Sequence, residues 1–320
     1  MKRHSIIIDK TAHGERLDIA LTRSELGLSR RKIRSIIDVG GVFVNRKRIR
    51  VASRIVSAGD RVELEYDPRV LSKNLRSHFV LTSADILFDS DNVVAINKPP
   101  GLPSQETRSQ SILHAKTCLE AFFKNSSMKV PHLFLVHRLD KETSGVMLFA
   151  KSGETSQSLT GQFREHRIEK IYHAIVYGIP KKEHYRVTCN LSNIHPETGL
   201  VRILNSGGQS SETFFDVLSV NRKLFLALIA CRPVSGRSHQ IRVHLESLGL
   251  PIVGDKKYGI DLQRHPLPDE LSHLTSEHHL LHAKSLSFQV LSDGRRISVE
   301  APYPKNFLEF LTLTELCSEM

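Results

Sequence analysis

Hydrophobic positions repeat with two different periods along this chain, and the change of period divides it. Between Gly14 and Tyr66, the stretch ERLDIALTRSEL carries apolar residues at helical spacing. Ser29, suited to an N-cap, opens RRKIRSIIDVGG, where Ile33, Ile36 and Ile37 form an i, i+3, i+4 stripe closed by Gly40 and Gly41. Two short β-type runs, VFVN and RVELEY, follow. Residues 67–80 show no clear period and read as a linker. Beyond them Ile86 to Phe88 and Val93 to Ile96 flank a polar turn, a hairpin signal ended by Lys98-Pro99-Pro100-Gly101. The remainder mixes helical stretches such as GETSQSLTGQFREH with many β-type ones: IYHAIVYG, YRVTCNL, SETFFDVLSV, LFLALIAC, HQIRVHL and RRISVEA. The pattern predicts an α+β protein: a small α/β domain over 14–66, then a mixed, mainly antiparallel β-sheet domain with flanking helices over 81–320.

Charge separates the same two parts. The 320 residues carry a net +11, and 40% are hydrophobic, enough to bury a core and to exclude a disordered chain. Residues 1–80 hold 18 Lys and Arg against 9 Asp and Glu, whereas 81–320 hold 27 against 25. So local an excess points to a polyanionic partner for the N-terminal segment. Residues 29–54 concentrate it, with nine basic residues and one acidic. Arg30, Arg31, Lys32 and Arg34 fall on or near the face opposite the isoleucine stripe, and the turn read at Asn45-Arg46-Lys47-Arg48 adds further cations. A basic amphipathic helix can also lie on a membrane, but here a Gly-Gly stop and two strands follow, so the stripe has a protein core to bury. Phe43 and Tyr66 are the only aromatics before Phe79, which favours phosphate and shape contact with structured RNA over base stacking.

The longest purely apolar run, Leu224 to Cys231, is eight residues, against the ~18 a spanning helix needs, so no membrane partner is expected. Cys118, Cys189, Cys231 and Cys317 lie far apart without a CxxC pair, and MKRHSIIIDK does not resemble a secretory signal. Reduced thiols and a cytoplasmic location are the expectation.

Two polar clusters stand inside apolar frames. In the first, an apolar strand runs into His137-Arg138-Leu139-Asp140, turns through Thr143-Ser144-Gly145 and resumes as an apolar strand, which puts an aspartate on a constrained turn at a sheet edge. The second, Ser235 to His244, reads as a strand with Arg237, His239, Ile241 and Val243 on one side and Ser238, Gln240, Arg242 and His244 on the other. Taken separately, each also fits a purely structural role. His265, His273, His278, His279 and His282 are too irregularly spaced, with no cysteine nearby, to predict a metal site. No P-loop, GxGxxG or GxSxG occurs, so nucleotide-triphosphate chemistry and serine hydrolysis lack support, and no cofactor is expected.

Several ordered motifs at similar spacings make the region 81–305 resemble the RluA-type pseudouridine synthases. They are His137-Arg138-Leu139-Asp140-Lys141-Glu142-Thr143-Ser144-Gly145, Lys170-Ile171-Tyr172, Gly236-Arg237-Ser238-His239-Gln240-Ile241-Arg242 and Gly254-Asp255 with Tyr258-Gly259. Asn97-Lys98-Pro99 upstream and His282-Ala283 near the end add to them. Residues 14–66, with Arg16-Leu17-Asp18, Ser29-Arg30 and Gly41-Val42, are similar to the small RNA-binding domain of the ribosomal-protein S-four type. Many relatives have Val-His where Ser104-Gln105 stands here, and a Lys is common at Gln209. The resemblance implies a cofactor-free, metal-free isomerisation of uridine in RNA, with Asp140 as nucleophile, Arg242 pairing with it through both carboxylate oxygens, and Tyr172 stacking on the uracil. It implies that Arg138 fills the space left by a flipped nucleotide. His137, Arg237, His239 and Gln240 are expected to meet the RNA, as are Arg30, Arg31, Lys32, Arg34, Arg46, Lys47 and Arg48 of the first domain. An appended basic domain favours large-subunit ribosomal RNA over transfer RNA. A non-catalytic ribosome-assembly factor is the alternative, and a monomer is expected.

Overall fold

The computed structural model describes residues 2–38, 40–49, 51–66, 79–106, 113–259, 267–275, 278–290 and 294–316. Two compact units result, one built mainly from 1–79 and the other mainly from 80–320.

The first unit packs two helices on a four-stranded sheet: β1 (Lys2–Ile7), α1 (Leu17–Arg23), α2 (Arg30–Asp38), β2 (Val42–Val44), β3 (Lys47–Ile49) and β4 (Arg61–Tyr66), in the order β1-β4-β2-β3. The isoleucine stripe behaves as its spacing predicts, since Ile33, Ile36 and Ile37 are fully buried against Leu17, Leu21, Val44 and Leu64. The compact unit also takes in a strand before Gly14. Strand β1 pairs along its whole length with β4, from Lys2 opposite Tyr66 to Ile7 opposite Arg61, and so belongs to the unit. Its polar, half-exposed pattern hid it. Residues 67–78 of the expected linker lie outside the described residues, as does Arg50.

The cationic face of α2 is only partly what the sequence suggests. Asp18 is fully buried and receives Nε of Arg34 at 2.6 Å, Nε and Nη2 of Arg30 at 3.1 and 3.0 Å, and Nε of Arg16 at 3.0 Å. Burial pushes this carboxyl up, and the arginines more than offset it, leaving the pKa below the ordinary value. A buried carboxylate is tolerated only with such partners. Arg34 is therefore buried structure and not an RNA contact, and Arg30 is half committed. The side chain of Arg31 lies outside the described ones, whereas Lys32 is exposed. The read turn at 45–48 is narrower than expected. Asn45 and Arg46, at φ 50° and 66°, make the two-residue hairpin turn, and Lys47 and Arg48 already belong to β3. Arg46, Lys47 and Arg48 all stand exposed there, with Arg48 over the Phe43 ring.

The second unit is an eleven-stranded sheet. Its elements are β5 (Ile86–Asp89), β6 (Val93–Lys98), α3 (Ala115–Asn125), β7 (Phe134–Leu135), β8 (Ser144–Ala150), α4 (Gly153–Arg164), β9 (Glu169–Tyr177), β10 (His184–Leu191), β11 (Ile203–Leu204), β12 (Gln209–Asn221), β13 (Leu226–Pro233), α5 (Gln240–Ser247), α6 (Asp269–Thr275), β14 (Leu281–Gln289), β15 (Arg296–Glu300) and α7 (Lys305–Leu313). The order is β11-β10-β12-β13-β9-β14-β8-β6-β5, with β15 beside β14 and β7 beside β8. Every described pairing is antiparallel except β8 with β14. Strand β8 is buried at all seven positions, its neighbours β6 and β14 covering the edges and α4 one face through Leu159. Gly145, at φ 109°, permits the parallel contact, since a Cβ there would stand 2.2 Å from Ala283 O. Backbone approach of this kind is what a glycine in a strand provides.

The HQIRVHL stretch is a helix, not a strand. Its alternation of apolar and polar residues has period two, but Gln240 through Leu245 are all buried, so the polar positions are not a solvent face. Ile241 and Leu245 pack with Ile229 and Ile252, Val243 packs with Leu191 and Tyr258, and the polar side chains between them find buried partners.

Candidate active site

Asp140 lies on the irregular segment between β7 and β8, at a cavity of about 470 Å³ bounded by that segment, β9 and the start of α5. Three sets of contacts hold the segment. Lys98, at the end of β6 and fully buried, donates its ammonium to the carbonyls of Pro99, Leu102 and Lys141 at 2.9 to 3.1 Å. Ser104 accepts Leu139 N–H at 3.0 Å and donates to Leu139 O at 2.7 Å, so it grips the residue beside Asp140. Three of the histidines that invited a metal reading form a latch instead: His278 meets Glu142, His279 meets Thr143 Oγ1 at 2.9 Å, and His282 accepts from Ser144 Oγ at 2.9 Å. Burial pulls Lys98 down to about 7. Lys98→Met takes the ammonium from three carbonyls, of which Lys141 O keeps Gly101 N–H, and should lower stability by about 2–3 kcal/mol, read as a lower urea midpoint.

Arg242, on the first turn of α5, reaches Asp140 with Nη1 alone, at 2.9 Å to Oδ2. Its two-pronged grip goes elsewhere: Nε and Nη2 bond both oxygens of Asp255 at 2.7 and 2.9 Å. The expectation that Arg242 holds both Asp140 oxygens is thereby corrected, because the fully buried Asp255 takes the fork. Asp140 Oδ1 takes no hydrogen bond among the described residues and its side chain is 28% exposed, so one oxygen faces the cavity. Burial pushes the Asp140 carboxyl up, but the charges it meets at His239, Arg242 and His279 and the Arg242 hydrogen bond hold it below the ordinary value. At neutral pH the permanent cation among them is Arg242, since burial pulls both imidazoles down to about 4.

The other expected residues divide. Tyr172, on β9, lines the cavity, and burial, followed by the Asp140 charge, pushes its phenol up. Arg138 is exposed and donates Nη2 to Ser238 Oγ at 2.8 Å, joining the two motifs at the cavity's edge. Arg237 also lines it, with Nε on Ser210 O at 3.1 Å. Gln240 is not available to RNA. It is 4% exposed, and its amide is spent on Ser235 Oγ, Arg237 N, Glu212 O and Thr213 Oγ1, which fixes the turn before α5. His137 lines the cavity with its ring stacked on Phe163 at 4.7 Å, and it accepts Leu148 N–H through Nε2 at 2.9 Å. Burial pulls its pKa down to about 3. His239 stands 3.9 Å from Asp140.

Four further residues complete the site: Asp255, Tyr258 and Lys98, present in the motifs but given no role by them, and Ser104. A signal for Asp255 existed in Gly254-Asp255, a carboxylate following a glycine of φ 78°. Nothing in the sequence, however, ties it to an arginine thirteen residues earlier.

A carboxylate kept ionised by an arginine, one oxygen open to a cavity walled by a tyrosine and basic residues, is a site for nucleophilic chemistry on an anionic substrate. The chain belongs to the RNA pseudouridylate synthase family. That family's model matches residues 92–247, and the S4 domain model matches 15–62. The chain is 34% identical over 304 residues to the ribosomal large subunit pseudouridine synthase C of Escherichia coli (strain K12), covering 90% of this chain and 89% of that protein. It is 31% identical over 309 residues to the ribosomal large subunit pseudouridine synthase D of Neisseria meningitidis serogroup B, covering 95% and 79%. Among solved structures it is similar to human RNA pseudouridylate synthase domain containing 4, with a TM-score of 0.60 and 28% identity over 77% of this chain and 96% of that one.

Proposed function

We propose that this enzyme converts uridine to pseudouridine in the RNA of the large ribosomal subunit, with Asp140 as nucleophile. The observation that carries the assignment of Asp140 is its open Oδ1 beside the Arg242 cation. The reaction breaks the bond between nitrogen 1 and ribose carbon 1′ and joins carbon 5 to carbon 1′. Carbon 5 loses a proton and nitrogen 1 gains one, so no outside reagent enters. Ionised and partly desolvated, Asp140 serves as the nucleophile, and Arg242 keeps it so while leaving one oxygen free. The target must leave its stack to reach this cavity, at a cost of a few kcal/mol. Arg138, exposed beside Ser238, is placed to occupy the gap.

Relatives named for the large ribosomal subunit support the substrate class, as does the basic hairpin of the first unit. The direct test is label release from RNA tritiated at carbon 5 of uracil, without metal or nucleotide. Release from ribosomal RNA supports the proposal, whereas release from transfer RNA alone overturns the substrate class.

Arg46, Lys47 and Arg48 are the exposed cations of that hairpin. Replacing all three with Ala should lower the slope of log affinity against log salt by roughly 0.7–0.9 for each phosphate no longer neutralised. An unchanged slope in a binding titration would remove RNA contact from these residues.

A further inference from the structure

His239 and Tyr258 have no part in the chemistry described so far, yet the fold invests in their placement. His239 caps α5 at φ 55° and ψ 15°, a left-handed conformation that a non-glycine residue adopts at a cost and that recurs at functional sites. Its side chain lines the cavity, with Nε2 3.9 Å from Asp140 Oδ2. On the far side of the ring, Nδ1 lies 2.6 Å from Tyr258 Oη. That oxygen already accepts Val201 N–H at 2.8 Å, and the tyrosine is held by its backbone N–H on Asp255 Oδ1 and by the Arg242 guanidinium over its ring.

The tautomer follows from these contacts. Tyr258 has one hydrogen, and Nδ1 is the acceptor placed for it, so Nδ1 is bare and Nε2 carries the imidazole's proton. Burial keeps the ring uncharged near neutrality, its pKa pulled down to about 4 against the opposing pull of Asp140. The Nε2–H is thus a fixed donor in the cavity, and 3.9 Å is too far for a bond to the Asp140 carboxylate.

The reaction generates an acceptor in the right place. Breaking the bond from nitrogen 1 to carbon 1′ leaves the electron pair on the base, where its charge spreads to the two carbonyl oxygens. Attack on the ring instead also places charge on a carbonyl oxygen. Carbon 1′ and oxygen 2 are separated only by nitrogen 1 and carbon 2, so a ribose carbon brought to Asp140 carries oxygen 2 toward His239.

Building on the Asp140 assignment, we propose that His239 donates its Nε2–H to a carbonyl oxygen of the target uracil, and that Tyr258 is a positioning residue that fixes the required tautomer. A preset donor facing a developing oxyanion lowers the barrier without rearranging. Besides Tyr258, the charged groups facing the imidazole are Asp140, Asp255, Arg242 and Lys257.

Two measurements on the full chain test this. Nitrogen-15 resonances of the His239 ring should report a protonated Nε2 and a bare Nδ1; the reverse assignment overturns the proposal. In the label-release assay, His239→Leu should lose about 10²–10³-fold in kcat with little change in KM. His239→Gln, which keeps an N–H donor, should recover much of that loss, and equal losses in the two variants overturn the donor role. Tyr258→Phe removes the hydroxyl that holds Nδ1 bare, so its nitrogen-15 spectrum should show both neutral tautomers and kcat should fall with KM little changed; a spectrum that still shows Nε2 alone protonated overturns the positioning role. Full activity in His239→Leu sinks the donor and leaves Asp140 standing. Silence of the unaltered enzyme on both RNA classes overturns both.

Discussion

Asp140→Asn should abolish label release while RNA binding and the fold persist. An amide is not a nucleophile, so the loss should be on the order of 10⁴-fold or more, as for other nucleophile deletions. The fold tolerates the change because Arg242 keeps its two-pronged bond to Asp255, and only the single Nη1 contact to Asp140 is weakened. Stability should change by no more than about 2 kcal/mol. Single-turnover release and a urea titration on the same preparation check both halves. Residual turnover above about a hundredth of the unaltered rate would take the nucleophile's role from Asp140.

Asp255→Ala should be the most damaging structural change at the site. The carboxylate is fully buried and accepts hydrogen bonds from Arg242 Nε and Nη2 and from the backbone of Lys257 and Tyr258. Its removal leaves a nearly buried guanidinium, 7% exposed, with one partner in place of two. Breaking a buried pair in this way costs about 3–5 kcal/mol. Activity should fall as well, since Arg242 would lose the anchor that aims Nη1 at Asp140.

The pH dependence has a definite sign. Burial pushes Asp255 up, but the Arg242 bond and charge pull it further down, so its folded pKa lies below the ordinary value. The stability this gives is present above the unfolded carboxylate pKa, about 3.9, and is lost as pH falls through the lower folded one. The urea midpoints of the two proteins should therefore converge below about pH 4. A constant gap down to pH 2 would show that the charge of Asp255 is not what stabilises the site. Arg242→Lys cannot rescue the arrangement, because one ammonium lacks the planar fork that spans both oxygens of Asp255 while reaching Asp140.

Much of this was legible beforehand where local pattern and burial agree. The isoleucine stripe of α2, the hairpin of β5 and β6, the helix α4 and the long strands β9, β12 and β13 have one apolar face or an apolar run against one core, and their period is the period of their structure. Asp140, Tyr172 and Arg242 stood in ordered motifs, and the cavity gathers all three. The misreadings share a cause. In α5 the polar residues point inward to buried partners, so the helix showed a strand's alternation. In α2 a single buried aspartate turned one apparent RNA contact, Arg34, into structure and half committed another, Arg30. Strand β1 had little apolar signal because much of its stability comes from backbone pairing along β4.

The sequence by itself determined the two-part division, the basic N-terminal unit and the principal secondary elements, because these depend on composition and spacing along the chain, and its resemblance to the family singled out Asp140, Tyr172 and Arg242 as candidates. Only the tertiary structure decided that Arg242 is shared between Asp140 and Asp255, that Lys98 and three histidines clamp the Asp140 segment, and that Tyr258 Oη meets Nδ1 of His239. Buried hydrogen bonds join groups as many as 138 residues apart, such as Ser144 and His282, and their geometry is set by packing in three dimensions, which no local period records.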